Sequence, residues 1–583
     1  MSLLPGPSPV GRTSRHRLHI KTIYPTDHSP AVAVPVITIG HRDLEELVGH
    51  GMSVERLLSR LEMIGAVVER RGEDSFDLEV FPDRPDLFSV EGIARAMRAF
   101  FDLEPGLKEY KVAPPVVEVR VDPSVLPVRP VICCGVVRGL HLDDAGIRSL
   151  MDFQEKLHLT VGRRRRKVSI GIHDMRDLAA PYTYLGADPK STRFLPLQSD
   201  SEMDMEQILR EHPKGVEYAW ILEGKSRYPL IRDAKGQVLS FPPIINGTVT
   251  AVRDDSEDLF LDVTGLEEVA CRYSLNILAT MLAERGGRLE AVRVVYPGRA
   301  LVMPDLSPAR RRVGIGYINS WTGLGLPPAE VARSLERMGM DAKLSKDNRT
   351  VGVRAGAWRM DIMHDVDIAE DVAIGHGYDK VKGVLPERVT FGVDHPTEAI
   401  ERRVHESLRG RGYTEVMSLV ITSEEEQYGR MRLPQDAGRV TIVNPVAETF
   451  TTLRTHLLPD LLAYLGRNTH HEYPQSVYEL GEVVGEGARN HLRAAAAHVQ
   501  AKAGFTLAKS LAEGVGRDLG LAGGMTIEAE EHPSFIPGRC ARIKVGGKAV
   551  GRFGEVHPEV LEAFGIAQPT IAIELDLEAI MSS

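Results

Sequence analysis

Residues Trp358 to Tyr378 read WRMDIMHDVDIAEDVAIGHGY. The first part, WRMDI, alternates in the manner of a short strand, and from Asp367 onward Ile368, Val372 and Gly375 recur at helical spacing. The stretch predicts a strand running into a helix. On that helix Asp367, Glu370 and Asp371 fall at i, i+3 and i+4, so their carboxylates stack on one face, and Asp361 can approach from the strand end. Four carboxylates converging in this way suit a hard, oxygen-seeking cation such as magnesium. The same spacing also fits a simpler role, because Asp followed three residues later by Glu is a helix-capping arrangement whose acids complement the helix dipole.

A chain of 583 residues is too long for one core and predicts about four domains. Hydrophobic residues make up 43% and charged residues 26%, and no apolar run approaches the roughly 20 residues of a membrane helix. A soluble, cytoplasmic protein is expected. Cys133, Cys134, Cys271 and Cys540 are too scattered for a disulfide framework and form no C-x-x-C pair, in keeping with a reducing compartment. The net charge of −10 has the wrong sign for a surface that grips nucleic acid everywhere, so any such contact must be local or lie on a partner.

Taken in order, residues 1–35 hold six prolines and the bases Arg12, Arg15, Arg17 and Lys21 without periodicity, and are expected to be a flexible leader. Residues 36–112 read as a small α/β module: strand VITIG, helices at 44–48 and 54–63, strand DLEVFP and a helix at 90–101. Before that last helix, FPDRPDLFS predicts a turn made by Asp83 and Asp86 around Pro82 and Pro85, with Ser89 as cap.

Residues 113–292 read as α+β, with strands VICCGVVRGL, KVSIGIHD, YAWIL, TVTAV and LFLDVTG and helices near 142–159 and 268–285. Arg163–Lys167 is the most basic spot in the chain; it suits either plain solvation or a phosphate backbone. Residues 293–388 hold the helix PPAEVARSLERMGM, strand VGVRA and the opening stretch, and 389–583 hold a helix at 396–410, strands TEVMSLVIT and YELGEVV, and a helix at 496–519.

Three segments carry a resemblance. WRMDIMHDVDIAEDVAIGHGYD follows the pattern R-x-D-I, then D-[IL]-x-E-[DE]-V-A-I-x-x-G-Y-D, and with FPDRPDLFSVEGIARAMRAFF (81–101) and NPVAETFTTLRTHLLPDLL (444–462) it resembles the phenylalanyl-tRNA synthetase β-subunit family, in its shorter archaeal and eukaryotic form. The resemblance implies an α+β multidomain protein. Its parts would be the N-terminal module, a tRNA-editing module over 113–292, a winged DNA-binding-like domain over 293–388 and a class II synthetase-like antiparallel domain over 389–583. It also implies an α-subunit partner in an α2β2 tetramer, ATP and tRNA as substrates of the complex, and magnesium shared with the α subunit on Asp361, Asp367, Glu370 and Asp371.

Editing in that family removes tyrosine wrongly attached to the tRNA. A buried acceptor for the tyrosine hydroxyl would select it, since phenylalanine leaves that acceptor unpaired. Candidate acceptors are Asp262 and Glu217; Pro242–Gly247, with Asn246 and Gly247, could donate backbone N–H groups to the carboxyl side, and His173 could position water. In the last domain, YELGE and RFGEVHPEV put carboxylates where a class II site needs arginines for ATP phosphates, so a catalytically inactive copy paired with an active one is expected. The alternatives are a free-standing aminoacyl-tRNA deacylase and a non-enzymatic winged nucleic-acid-binding protein; acids on the helices and the negative charge weigh against the latter.

Overall fold

A computed structural model describes residues 35–49, 51–385, 391–447 and 449–583. The expected leader lies outside the described residues apart from Pro35. The described chain falls into two compact units, one ending at Leu385 and one lying beyond it.

The first unit opens with a three-stranded antiparallel sheet in the order Val36–Gly40, Ser75–Val80, Ala66–Arg71. Ser75–Val80 alternates as its SFDLEV sequence dictates, burying Phe76, Leu78 and Val80 against helices His41–Val48, Val54–Leu61 and Val90–Phe100. The Ser89 hydroxyl accepts the Gly92 N–H at 3.2 Å, the expected cap. Gly92 is required, because a Cβ there would lie 1.7 Å from the Asp86 carbonyl oxygen; the helix begins in contact with the FPDRPD turn.

A ten-stranded mixed sheet follows. Its order is Ile245–Asn246, Val238–Phe241, Tyr228–Arg232, Tyr182–Ala187, Val112–Val121, Arg288–Tyr296, Val131–Arg138, Leu259–Gly265 and Val168–Asp174, with Arg299–Met303 paired onto Arg288–Tyr296. All seven residues of Leu259–Gly265 are buried, as a run such as LFLDVTG between two neighbouring strands and a covering helix, Glu268–Glu284, requires. A sheet this wide curls. Its first and last strands come back together through side chains: Asn246 Nδ2 donates to the Ile172 carbonyl at 3.4 Å, and Thr250 meets His173.

Two expected strands are not strands. YAWIL forms the end of the short helix Pro213–Tyr218 and a 3-10 turn, Ala219–Leu222, while TVTAV starts as the 3-10 turn Thr248–Thr250. In both, β-branched or aromatic composition is overridden by tertiary packing that buries Tyr218 and Thr250 at turn spacing.

The next module pairs Ala309–Gly314, Thr350–Ala355 and Asp341–Leu344 antiparallel, with helices Ile315–Thr322, Pro328–Arg337 and Asp365–His376. WRMDI, expected as a strand, joins no ladder. Trp358 and Arg359 are adjacent and both buried, at 6% and 4% exposure, which the two-residue alternation of a strand does not allow.

The second unit is a seven-stranded sheet in the order Thr414–Glu415, Gln475–Gly485, Arg489–Val499, Thr570–Asp576, Lys548–Val556, Phe535–Val545 and Met525–Ala529, antiparallel except at the first pair. The helix expected over 496–519 is confined to Phe505–Asp518, and its first residues belong to the strand Arg489–Val499. Ala494–Ala497 has helical propensity, but the four alanines are buried between two ladders, where small side chains let helices on both faces approach the sheet.

Candidate functional site

Where the curled sheet closes, His173 sits fully buried at the end of Val168–Asp174. Its Nε2 lies 2.6 Å from Asp262 Oδ2 on the neighbouring strand, and its Nδ1 lies 2.8 Å from Thr250 Oγ1. A carboxylate can only accept, so Nε2 carries a proton, and in the neutral ring Nδ1 accepts from the Thr250 hydroxyl. Gly171 sits opposite Asp262 in the ladder, and a Cβ there would come within 2.1 Å of Asp262 Oδ2 and 2.7 Å of His173 Nε2. A glycine at this point makes the close approach possible.

Four of the five sequence candidates gather here. Asn246 accepts from Ser240 Oγ at 3.0 Å and reaches Ile172 across the closure, and the Gly247 carbonyl lies 3.1 Å from Thr250 Oγ1. Asp262 is 1% exposed, and its Oδ1 has no protein partner among the described residues. Two expected roles are corrected. His173 does not hold water, because both ring nitrogens are engaged inside the core, and the Gly247 N–H is not free for a substrate, because it donates to the Leu239 carbonyl at 2.9 Å. Glu217 is the fifth candidate and stands apart. It is ion-paired with Lys214 at 2.9 Å on a half-exposed helix turn, facing the charge of Arg165 rather than Asp262.

The carboxylates of the Trp358–Tyr378 stretch meet a cation from within it. Arg359 bonds Asp361 at 2.6 Å and Asp371 at 2.7 Å. Burial disfavours ionisation of Asp361, but Arg359 outweighs it and holds the group below the usual range; for the more deeply buried Asp371, burial pushes the carboxyl up to about 6. Asp367 turns back to accept the N–H groups of Met363 (2.7 Å) and His364 (2.5 Å), capping a helix that starts at Asp365 instead of Asp367. Glu370 is exposed and makes no hydrogen bond or ion pair among the described residues.

The expected convergence of all four is therefore corrected: two close on Arg359, one on the backbone, and one faces solvent. Among the described residues no group of three or more His, Cys, Asp or Glu is arranged to hold a metal ion. As a set the four do not fit magnesium. The cluster instead joins two distant motifs, since Arg84 of FPDRPD clamps Asp86 at 2.8 and 2.9 Å and Arg95 stacks on Trp358 at 4.3 Å from the ring centroid. Arg84 also lies close enough to Asp361 for its charge to favour the carboxylate.

In the second unit, Arg454 of LRTHLLP is 3% exposed and bonds Glu479 of YELGE at 2.6 Å, with Asp460 at 3.6 Å. Ser418 adds a hydrogen bond to the other Glu479 oxygen. Burial pushes Asp460 up to about 7 against the pull of Arg454, and Glu479 adds to the rise. Its Nη1 is taken by Glu479 and Ser418 and its Nε by the Glu482 carbonyl at 2.8 Å, so the buried guanidinium charge already has carboxylates beside it.

Residues 382–577 match the family model described as the phenylalanyl tRNA synthetase beta chain CLM domain, and residues 312–378 match that of the tRNA synthetase B5 domain. The phenylalanine–tRNA ligase beta subunit of Methanothrix thermoacetophila is 45% identical over 547 residues, covering 93% of this chain and 100% of that one. The same subunit of Archaeoglobus fulgidus is 44% identical over 548 residues, covering 94% and 98%. A crystal structure of an N-terminal fragment of the phenylalanyl-tRNA synthetase beta subunit from Pyrococcus horikoshii superposes with a TM-score of 0.57 at 38% identity, covering 59% of this chain and 100% of the fragment.

Proposed function

The chain belongs to the phenylalanine–tRNA ligase beta-subunit family, and we propose on that footing that it works in the cytoplasm with an alpha subunit, as an α2β2 complex, to join phenylalanine to its tRNA with ATP. Activation of the amino acid falls to the alpha subunit. The observation that carries this division is Arg454: in a site of class II type an arginine must meet phosphate, and here Glu479 and Asp460 occupy it. Residues 389–583 then serve as an inactive synthetase-like partner surface. Met417, Leu419, Val420 and Ile421, exposed at 94%, 67%, 40% and 43%, supply apolar area for the sister subunit to cover.

Residues 113–292 form the editing module in this reading, residues 36–112 the N-terminal module and residues 293–388 the winged domain. Asp262 Oδ1 receives the hydroxyl of a misattached tyrosine while His173 fixes the other carboxylate oxygen and Asn246 lines the closure. Phenylalanine would leave Oδ1 buried and unpaired, at a penalty of about 1–3 kcal/mol. Magnesium shared with the alpha subunit would take its ligands mainly from that subunit, with Glu370, the one of the four acids without a hydrogen bond or ion pair among the described residues, as this chain's contribution.

Asp262→Ala in the co-expressed complex tests the editing assignment: hydrolysis of Tyr-tRNA should slow while charging with phenylalanine continues, and a parental deacylation rate would remove Asp262 from the pocket. The chain expressed alone should give no phenylalanine-dependent ATP–pyrophosphate exchange. Exchange by the single chain would overturn the division of labour and favour an independent enzyme.

A further inference from the structure

Arg163, Arg164 and Arg165 have φ of 47°, 54° and 65°, three successive non-glycine residues in the left-handed region. Each such residue costs on the order of 1 kcal/mol, and glycine would remove the strain, yet every position is an arginine. The turn is held from beneath. Arg129, 2% exposed and without a carboxylate partner, donates to the Arg165 and Arg166 carbonyls at 3.2 and 3.1 Å and, from its other edge, to Thr264 Oγ1 at 2.9 Å and the Thr264 carbonyl at 2.7 Å. Arg165 itself turns inward, stacking on Tyr218 at 4.4 Å, pairing with Glu155 at 2.9 Å and donating to the Ile244 carbonyl at 3.0 Å. Arg163 is exposed and Arg164 partly exposed. Their guanidinium groups have no hydrogen bond or ion pair among the described residues, and Glu267, whose charge Arg163 feels, is already ion-paired with Lys167 at 2.9 Å.

The turn stands at the Gly265 end of Leu259–Gly265, three residues from Asp262, or roughly 10 Å along the strand at ~3.3 Å per residue. Arg165 touches the segment that carries Asn246, so the strained turn and the Asp262 closure lie along one edge. Two cations without a partner among the described residues, about 10 Å along the strand from a buried acceptor, suit a single strand whose terminal aminoacyl group enters the closure and whose phosphates remain outside.

We propose that Arg163 and Arg164 form a phosphate clip for the 3′-terminal single strand of tRNA as it delivers an aminoacyl group to the Asp262 closure, with Arg129 and Arg165 as the positioning residues that hold the clip. The proposal rests on the editing reading above. The strain has a use in it: a relaxed turn would let the two side chains fold back onto Glu155 or Glu267, whereas a pinned left-handed turn holds their backbone in one geometry.

The test uses the αβ complex with the double variant Arg163→Ala/Arg164→Ala and the charge-keeping Arg163→Lys/Arg164→Lys. Hydrolysis is measured on full-length Tyr-tRNA across a salt series and on 2′(3′)-O-tyrosyl-adenosine, which has no phosphate. The alanine pair should bind Tyr-tRNA more weakly and flatten the dependence of log KM on log salt by roughly 1.4, about 0.7 for each single-strand phosphate no longer neutralised. The loss should be confined to the phosphate-bearing substrate, and the lysine pair should restore most of it. Equal salt slopes for alanine and parental complexes overturn the clip while leaving editing intact. Equal losses on both substrates also overturn it, as damage to the closure itself. A parental complex that hydrolyses neither substrate removes the editing reading, and the clip with it.

Discussion

The Arg359 guanidinium bonds the Asp371 carboxylate at 2.7 Å, with 3% and 5% of the two side chains exposed, although the residues lie twelve apart on a loop and a helix. Removing one partner of a buried pair leaves an uncompensated charge. Arg359→Met should therefore destabilise the first unit by about 3–5 kcal/mol, and Arg359→Met with Asp371→Leu should recover much of it. Denaturant titration of the two variants decides the point; equal losses would mean that the pair is not coupled.

Gly171→Ala should act on the candidate closure without replacing any charged group. The new methyl would sit 2.1 Å from Asp262 Oδ2, so the Asp262–His173 bond must shift, slowing Tyr-tRNA hydrolysis on the order of a hundredfold. Gly316→Ala, where nothing lies within 4 Å, is the control and should leave that rate alone. A Gly171→Ala enzyme that edits at the parental rate would show that the geometry around Asp262 is not what matters.

Asp460 should give the second unit a pH signature. Its folded pKa, about 7, is raised above the ordinary aspartate value of 3.8, so the folded state binds the proton more tightly than the unfolded chain does. The stabilisation is fully present below about pH 3.8 and is lost as the pH rises through about 7. Asp460→Asn keeps a neutral side chain at every pH and should match its parent near pH 4 and exceed it above pH 7.5. Thermal melts across that range read the difference, and a gap that does not grow with pH would rule the assignment out.

Ser89→Ala tests the join between the FPDRPD turn and its helix. Loss of the hydroxyl that accepts the Gly92 N–H should lower stability by about 1 kcal/mol, and Ser89→Asp should restore it. A neutral Ser89→Ala would place the helix start under the control of packing against Asp86 alone.

Periodicity carried most of the fold. The alternation of DLEVFP and the unbroken LFLDVTG run each predicted a strand, the first of which lies two residues earlier, at Ser75–Val80, because one or both faces of those strands are buried as the pattern requires. Ala494–Ala497 failed because local propensity and tertiary burial disagree there, and WRMDI failed because an arginine counted as the polar half of an alternation is in fact buried with its carboxylates. The same misreading concealed the ion cluster. Spacing put Asp361, Asp367 and Asp371 near one another, but only a folded chain shows that Arg359, from within the same stretch, reaches two of them first. Asp262 and His173, 89 residues apart, were each singled out for chemistry, while Thr250 and Arg129, which complete their surroundings, have no local pattern to mark them.

The ten-stranded sheet closes on itself with side chains, where every other neighbouring pair of strands is stitched by main chain. Asn246 reaches Ile172, Thr250 meets His173 and Arg165 donates to the Ile244 carbonyl, three side-chain contacts that could part while the ladders stay whole. If the editing proposal holds, an aminoacyl group bound for Asp262 would have side chains to displace at that edge and no backbone ladder to unzip.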